Sequence, residues 1–226
     1  MSNTKKNIVI LISGNGSNLQ AIIDKVKTGE IKANISAVIS NKKNVFGLKR
    51  AEIENIPSHI VEHTQYNSRE AFDTALSQII DNYSADIIVL AGFMRILSSG
   101  FVLKYIGKLI NIHPSLLPLY RGLHTHKRVL EDKAKQHGAS VHFVTPELDA
   151  GSVLIQGIVD IKAGDTIESL AKRVHIIEHI IYPAAIKLLT ENAVNLEQEN
   201  IFINGKLLQQ PKKYYLNKAP HIKNPN

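Results

Sequence analysis

The chain has 226 residues, of which 44% are hydrophobic and 21% charged, a composition typical of one soluble globular domain with a sizeable core. It has no cysteine and no run of the ~20 apolar residues that span a bilayer, which excludes disulfide and thiolate chemistry, so we expect a cytoplasmic protein with no membrane partner. The net charge of +7 fits a small anionic substrate, and because the lysines are scattered with few aromatic neighbours, we expect no nucleic acid partner.

The first 113 residues alternate short apolar runs with longer amphipathic segments. In chain order we predict strands at 7–12, 34–40, 58–63, 86–93 and 108–114, and helices over 19–29, 46–55 and 68–83. Ser68 is a plausible N-cap of the third helix, and Gly29 a plausible C-terminal glycine of the first. This order predicts an α/β fold, a doubly wound and mostly parallel sheet with helices on both faces.

The pattern changes after about residue 137. The segment from Ala139 to Ile161 consists of two extended runs joined by a loop, which predicts antiparallel additions to the sheet. Residues 167–192 predict one long helix, or two helices separated at Pro183, and Asn204-Gly205 predicts a type I′ hairpin. We expect a single domain over residues 1–205, followed by a loose basic C-terminal tail over residues 206–226.

A glycine-rich loop, Ser-Gly-Asn-Gly-Ser-Asn at 13–18, follows the first predicted strand. A loop between a buried strand and a helix directs free backbone N–H groups at an anion. It is not a Walker loop, and it is a poor dinucleotide fingerprint because Leu19 stands at the third glycine position. We predict that it binds a single phosphate; the alternative is a tight turn that only caps the helix.

The predicted strand at 108–114 ends on two polar residues, Asn111 and His113. Alternate side chains of a strand share a face, and the carboxyl end of a parallel strand is where such sheets bind ligands. Pro114 ends the strand because it lacks the N–H that a continuing ladder needs. An amide and an imidazole side by side could both donate to an oxygen that becomes negative. The alternative is a strand-end histidine bonded to a loop carbonyl, and the strand alone does not decide.

Asp149 lies in the loop Thr-Pro-Glu-Leu-Asp-Ala-Gly at 145–151, between the two later extended runs. A carboxylate beside His113 would favour the protonated imidazole. The sequence alone does not bring Asp149 and His113 together, so an exposed turn aspartate is the alternative.

Several histidine patterns raise the question of a metal site. Residues 175–179 match the H-x-x-E-H zinc signature, and His124 and His126 form a second pair, but neither has an organised set of further ligands. We interpret the first as an amphipathic helix whose polar face could touch substrate, and His142 as a structural residue of a strand. We therefore expect no metal.

A set of motifs runs in order from residue 7 to about residue 184, over most of the chain. They are LISGNGSNLQAIID, ISNK, LAGFMRIL, NIHPSLLP, GLHTH, GASVHFVTPELDAG and EH-x-x-YP. Together they resemble the folate-dependent glycinamide ribonucleotide formyltransferases of purine synthesis. The resemblance implies transfer of a formyl group from the co-substrate 10-formyltetrahydrofolate to the amine of glycinamide ribonucleotide, by a monomer or homodimer without a metal.

The resemblance also implies roles for individual residues. Asn111, His113 and Asp149 match the catalytic trio, in which Asp149 supports His113. The positions that match ribonucleotide-binding residues are Gly16, Ser17, Asn18, His175 and Glu178. Those that match folate-binding residues are Arg69, Met94, Arg95, Ile96, Leu97, Asn111, Thr145, Pro146, Glu147, Leu148 and Asp149.

Two positions depart from the family's pattern. His175 stands where these enzymes often have glutamine, and Tyr120-Arg121-Gly122 stands where they often have an aromatic residue followed by Pro-Gly. The latter is similar to methionyl-tRNA formyltransferases, which carry a further C-terminal domain, whereas formyltetrahydrofolate hydrolases carry an N-terminal regulatory domain. We expect neither domain here. A phosphate-binding module without catalysis is a further alternative, which a turnover assay separates.

Overall fold

The structure of the chain, a computed structural model, describes residues 5–216. The strands are β1 (Lys6–Ile12), β2 (Ala33–Ser40), β3 (Ser58–Ile60), β4 (Ile87–Leu90), β5 (Leu109–His113), β6 (Gln136–Phe143), β7 (Val153–Asp160), β8 (Val194–Glu197), β9 (Asn200–Ile203), β10 (Lys206–Leu207) and β11 (Lys212–Tyr215). The helices are α1 (Ser17–Lys27), α2 (Phe46–Ile53), α3 (Arg69–Asn82), α4 (Ser99–Lys104), α5 (Thr125–Glu131) and α6 (Ile167–Thr190).

The central sheet has the strand order β11-β7-β6-β5-β4-β1-β2-β3. The strands from β3 to β5 are mutually parallel, as expected where a helix crosses between successive strands. β6 is antiparallel to both β5 and β7, and β8, β9 and β10 form a small separate sheet. The predicted fold, a mostly parallel α/β sheet with antiparallel additions, is confirmed.

The two faces of the sheet bury separate hydrophobic layers. Alternate residues of β1 point to opposite faces, so Ile8 and Ile10 join α1 and α6 in one layer, while Val9 and Leu11 join α3 and α4 in the other. Because both faces are covered, the strand is apolar at successive positions, which is the pattern predicted for a buried parallel strand.

Local turn and cap signals are also confirmed. Ser68 Oγ accepts a hydrogen bond from the Ala71 N–H at 3.1 Å and caps α3. Gly29 follows α1 with a φ of +78°, and Asn204 and Gly205 both have positive φ between the antiparallel strands β9 and β10. Positive φ at both central residues is the requirement of a type I′ turn.

The C-terminal part decides between two alternatives and corrects one expectation. Pro183 lies inside α6, so residues 167–190 form one long helix, the first of the two predicted alternatives. The predicted tail is not loose over its first half, because β10 pairs with β9 and β11 adds a parallel strand beside β7. The remaining tail residues, 217–226 with Lys218 and Lys223, lie outside the described residues. In the part of the chain that is described, no helix is both long and apolar enough to cross a membrane.

Candidate active site

The carboxyl half of β5 presents Asn111 and His113 to a single face of the sheet. β5 pairs with β6 in a register that sets Asn111 opposite His142 and His113 opposite Ser140. Ile110 and Ile112, which alternate with the two polar residues, belong to the apolar layer on the other face. The strand thus buries its apolar residues on one side and leaves an amide and an imidazole together on the other.

The His113 imidazole lies between two oxygen atoms. Its Nδ1 is 3.3 Å from Asp149 Oδ2, and its Nε2 is 3.0 Å from the carbonyl oxygen of Tyr120. The side chains of His113 and Asp149 are only 7% and 8% exposed. Both oxygen atoms are hydrogen-bond acceptors. A ring nitrogen can donate to its neighbouring oxygen only when that nitrogen carries a proton. The structure therefore brings His113 and Asp149 together, which the sequence could not establish.

Asp149 is fixed by the segment that departs from the family pattern. Its Oδ2 accepts a hydrogen bond from the Gly122 N–H at 2.9 Å, and its backbone adopts a φ of +50°, a conformation that aspartate tolerates better than most residues. Arg121 Nη1 donates to Glu147 Oε1 at 2.6 Å. Together with the Tyr120 carbonyl, these contacts tie residues 120–122 to His113 and to the loop that carries Asp149.

His142 also belongs to this cluster, although the sequence analysis assigned it a structural role. Its Nδ1 lies 2.8 Å from the Phe143 carbonyl oxygen and therefore carries the proton, which leaves Nε2 as an acceptor for Asn111 Nδ2 at 3.3 Å. Burial lowers the pKa of His142, which favours this neutral ring. Its Nε2 is 3.8 Å from Asp149 Oδ1. A histidine opposite Asn111 could have been found only from the strand register.

The glycine loop and α6 meet at a buried polar contact. Gly16 precedes α1 with a φ of +73°, and Asn18, in the first turn, donates from Nδ2 to Glu178 Oε2 at 3.0 Å. Asn18 and Glu178 are 9% and 5% exposed. Burial raises the pKa of Glu178, while the hydrogen bond from Asn18 and the nearby His175 oppose that shift. Two of the predicted ribonucleotide-binding positions are thus in direct contact.

Helix α2 braces the outer side of the glycine loop, a role that the sequence analysis missed. Arg50 donates from Nε to the Asn15 carbonyl oxygen and from Nη2 to Asn15 Oδ1, each at 3.0 Å. The Gly47 N–H donates to the Gly14 carbonyl oxygen at 3.1 Å. The backbones approach so closely that a Cβ added at Gly16 would lie 2.8 Å from the Gly47 Cα. Glycine at both positions is what permits this contact.

The predicted folate-binding residues lie mainly in two loops. The loop after β4 is anchored by the Met94 N–H, which donates to Ser13 Oγ of the glycine loop at 2.8 Å. Met94 is 72% exposed and Arg95 stacks over the Phe72 ring at 5.0 Å. In the loop after β6, Leu148 is 51% exposed.

The remaining predicted positions are less closely tied to this cluster. Arg69 is the first residue of α3 and is exposed, and His175 is exposed on α6. Across residues 5–216, no group of three or more histidine, aspartate or glutamate side chains is placed to hold a metal ion. In the H-x-x-E-H segment, Glu178 turns inward to Asn18 while His175 stays at the surface.

The chain is similar to known proteins over most of its length. The formyl transferase family profile matches residues 6–186. The chain is 50% identical over 202 residues to phosphoribosylglycinamide formyltransferase of Escherichia coli K12, covering 89% of the chain and 95% of that protein. The chain belongs to the phosphoribosylglycinamide formyltransferase family. The predicted family and enzyme class are confirmed.

Two further matches extend the comparison. The chain is 47% identical over 192 residues to the trifunctional purine biosynthetic protein adenosine-3 of Bos taurus, which covers 85% of the chain but only 19% of that longer protein. The solved phosphoribosylglycinamide formyltransferase of Coxiella burnetii, in complex with CHES, superposes with a TM-score of 0.89 at 46% identity, covering 93% of the chain and all of that structure (100%). This formyltransferase is thus an enzyme of purine biosynthesis with the fold of its bacterial relatives.

Proposed function

We propose that the chain transfers the formyl group of 10-formyltetrahydrofolate to the primary amine of glycinamide ribonucleotide. The relatives named above support the reaction. The observation that carries the mechanism is the contact of His113 Nδ1 with Asp149 Oδ2 at 3.3 Å, next to Asn111. An amine is itself a nucleophile, so this reaction requires no nucleophilic side chain, in keeping with a chain that has no cysteine.

Asn111 and His113 are the proposed donors to the formyl oxygen. Attack of the amine on the formyl carbon forms a C–N bond and shifts the carbonyl electron pair to oxygen, giving a tetrahedral intermediate with an oxyanion. One Nδ2 hydrogen of Asn111 faces His142, which leaves the second for this oxygen. A substrate oxygen at His113 would share or take over the Nε2–H that faces the Tyr120 carbonyl. Each such donor typically accelerates the reaction by ~10²–10³.

Asp149 is proposed to hold the His113 imidazole in its charged and oriented form. The Gly122 N–H fixes the carboxylate, and the carboxylate in turn faces Nδ1. Collapse of the intermediate breaks the bond between the formyl carbon and N10 of the folate. The amine nitrogen loses one proton and N10 gains one, so no external acid or base is consumed. A water molecule beside Asp149 could carry this proton, and the rest of the acceleration would come from alignment of the two substrates.

The two substrates are proposed to approach from different parts of the carboxyl edge of the sheet. The ribonucleotide phosphate would bind the N–H groups of residues 16–18 at the start of α1, where the helix dipole favours an anion. Glu178, held by Asn18, and His175 would contact the remainder of the ribonucleotide. Folate would lie against the two loops at 94–97 and 145–149, whose exposed apolar side chains suit its ring system. Arg69, exposed at the start of α3, is a further proposed folate contact.

The proposal is tested by supplying 10-formyltetrahydrofolate with and without glycinamide ribonucleotide and measuring both products. We expect tetrahydrofolate and formylated ribonucleotide in equal amounts, and neither without the acceptor. Asn111→Ala, His113→Ala and Asp149→Asn should each lower kcat by ~10²–10³ with smaller changes in KM. His59→Ala and Asn195→Ala serve as matched controls, because His59 bonds Tyr83 beside β3 and Asn195 bonds Glu197 in β8.

Three results would contradict the proposal in different ways. Near-wild-type kcat in all three site variants would show that the mechanism is wrong although the reaction is right. Release of tetrahydrofolate without the ribonucleotide would show hydrolysis of the formyl group instead of its transfer. Binding of the ribonucleotide with no turnover at all would indicate a binding module.

A further inference from the structure

Tyr182 of α6 makes an unusual contact with the central sheet. Its side chain is fully buried, with 0% exposure, in the apolar layer between α6 and the strands. Its phenolic O–H faces two backbone carbonyl oxygens, that of Leu90 at 2.9 Å and that of Ile110 at 3.2 Å. A helix side chain thus bonds the backbone of two neighbouring strands, which the apolar packing of α6 does not require.

Both carbonyl groups lie where β4 and β5 approach the proposed active site. Leu90 is the last residue of β4 and is the register partner of Asn111 in β5. The Ile110 carbonyl belongs to the same planar peptide unit as the Asn111 nitrogen. A bond that holds this carbonyl therefore restrains the plane from which the Asn111 Cα and side chain project.

The phenol is suited to hold this position permanently. Burial and the neighbouring Glu178 charge raise the pKa of Tyr182 well above its usual value, so the O–H remains a donor at any physiological pH. Glu178, the partner of Asn18, lies one helical turn before Tyr182 on the same helix. Helix α6 thereby connects the proposed ribonucleotide side of the site to the strand that carries Asn111.

We propose that Tyr182 is a positioning residue, which acts through the Ile110 carbonyl to hold the Asn111 amide at the place where the oxyanion forms. This inference rests on the proposed role of Asn111. His142 restrains the other end of the residue by accepting from Asn111 Nδ2. The amide is then fixed at its side-chain end by β6 and at its backbone by α6. Misplacement of a catalytic group by about 1 Å can lower a rate ~10²-fold.

The test is Tyr182→Phe, which keeps the ring and removes only the O–H. We expect kcat to fall between about 10-fold and 100-fold, with KM for both substrates within about threefold of wild type. Tyr105→Phe is the matched control, because Tyr105 is also buried, at 7% exposure, and its O–H bonds Ser77 and Asp81 in the other layer. It should lose stability like Tyr182→Phe but keep its kcat.

A double-mutant cycle with Asn111→Ala identifies the route of the effect. If Tyr182 acts through Asn111, adding Tyr182→Phe to Asn111→Ala should change kcat by less than about twofold. An equal fall in both backgrounds, or a wild-type kcat in Tyr182→Phe, would overturn the inference while leaving the proposed function intact. A wild-type kcat in Asn111→Ala would instead refute the role of Asn111, and the inference with it.

A second variant keeps the test decisive if Tyr182→Phe folds poorly. Replacement of Tyr182 by para-aminophenylalanine supplies an N–H donor at the position of the O–H and should restore kcat to within about threefold of wild type. The side-chain amide signal of Asn111 in ¹⁵N-asparagine-labelled protein provides a readout independent of activity. This signal should match wild type in the para-amino variant and in Tyr105→Phe, and it should shift in Tyr182→Phe. An unchanged signal in Tyr182→Phe would contradict the inference. A para-amino variant that is folded but keeps a low kcat would also contradict it.

Discussion

Arg50 offers a test of whether the glycine loop must be held in shape to bind the ribonucleotide. Its guanidinium makes three hydrogen bonds at 3.0 Å, two to Asn15 in the loop and one to Gln20 Oε1 of α1. Arg50→Met keeps the aliphatic stem and removes all three. We expect the loop to lose its preference for the conformation that directs the N–H groups of residues 16–18 at the phosphate.

The magnitude follows from the bonds that are lost. A typical hydrogen bond contributes about 1 kcal/mol net, so the two bonds to Asn15 stabilise the loop by about 2 kcal/mol, and partial solvent exposure reduces this to roughly 1–1.5 kcal/mol. Since 1.4 kcal/mol corresponds to tenfold in affinity, the KM for glycinamide ribonucleotide should rise ~5–10-fold. The KM for the folate should stay unchanged, because the hydrogen bonds of Arg50 go to the glycine loop and to α1, and its guanidinium lies over Phe46 of α2.

Steady-state kinetics with each substrate varied in turn measure this effect. Lys49→Met is the matched control, because it removes one positive charge from the neighbouring position of α2, where Lys49 pairs with Glu52 on the surface. If the two variants raise the KM for the ribonucleotide equally, the effect is one of net charge and the bracing role of Arg50 is refuted. If neither raises it, the loop does not need the support.

Two further predictions concern buried titratable groups. Burial raises the pKa of Glu178 above 4.5, so the folded protein binds a proton that the unfolded chain releases, and stability falls as the pH rises above that value. The Tm of Glu178→Gln should therefore exceed that of wild type, and the difference in Tm should grow from pH 4 to pH 8. A difference in Tm that does not depend on pH would contradict this prediction. Burial lowers the pKa of His137 from 6.5 to about 3, so its neutral form stabilises the fold at neutral pH and this contribution is lost as the pH falls below 6.5. Between pH 7 and pH 4, the free energy of unfolding measured with denaturant should fall by on the order of 1–3 kcal/mol more in wild type than in His137→Gln. Equal falls in the two proteins would show that His137 is not buried as neutral imidazole.

The fold and half of the site follow from local patterns in the sequence. Successive apolar residues in β1 indicate a strand buried on both faces, and the period of two in β5 sets Asn111 and His113 on one face. Ser98 could have been used in the same way to predict the start of α4. Its Oγ accepts a hydrogen bond from the Phe101 N–H and caps that helix, just as Ser68 caps α3. Such contacts involve residues three or four apart, which a sequence shows directly.

The rest of the site depends on pairings between distant residues. The Asn111–His142 contact requires the β5–β6 register, and a slip of one residue would turn His142 to the opposite face. The Arg50 contact requires α2 to dock on the loop before α1. Strand β11 was missed for a different reason: its residues are mostly exposed, so backbone pairing with β7 forms it without the apolar alternation that marks a strand.

The position of Asp149 beside His113 depends on Gly151, a glycine in the same loop. β6 is antiparallel to β5, and its last residue, Phe143, lies beside Ile110, at the end of β5 away from His113. The following loop must therefore fold back along the sheet face to bring Asp149 to His113. It does so by passing so close to β6 that a Cβ added at Gly151 would lie 1.9 Å from the Phe143 carbonyl oxygen. The glycine two residues after Asp149 is thus a steric requirement of the return path, and the pair Asp149 and Gly151 is the part of the motif that the contact with His113 needs.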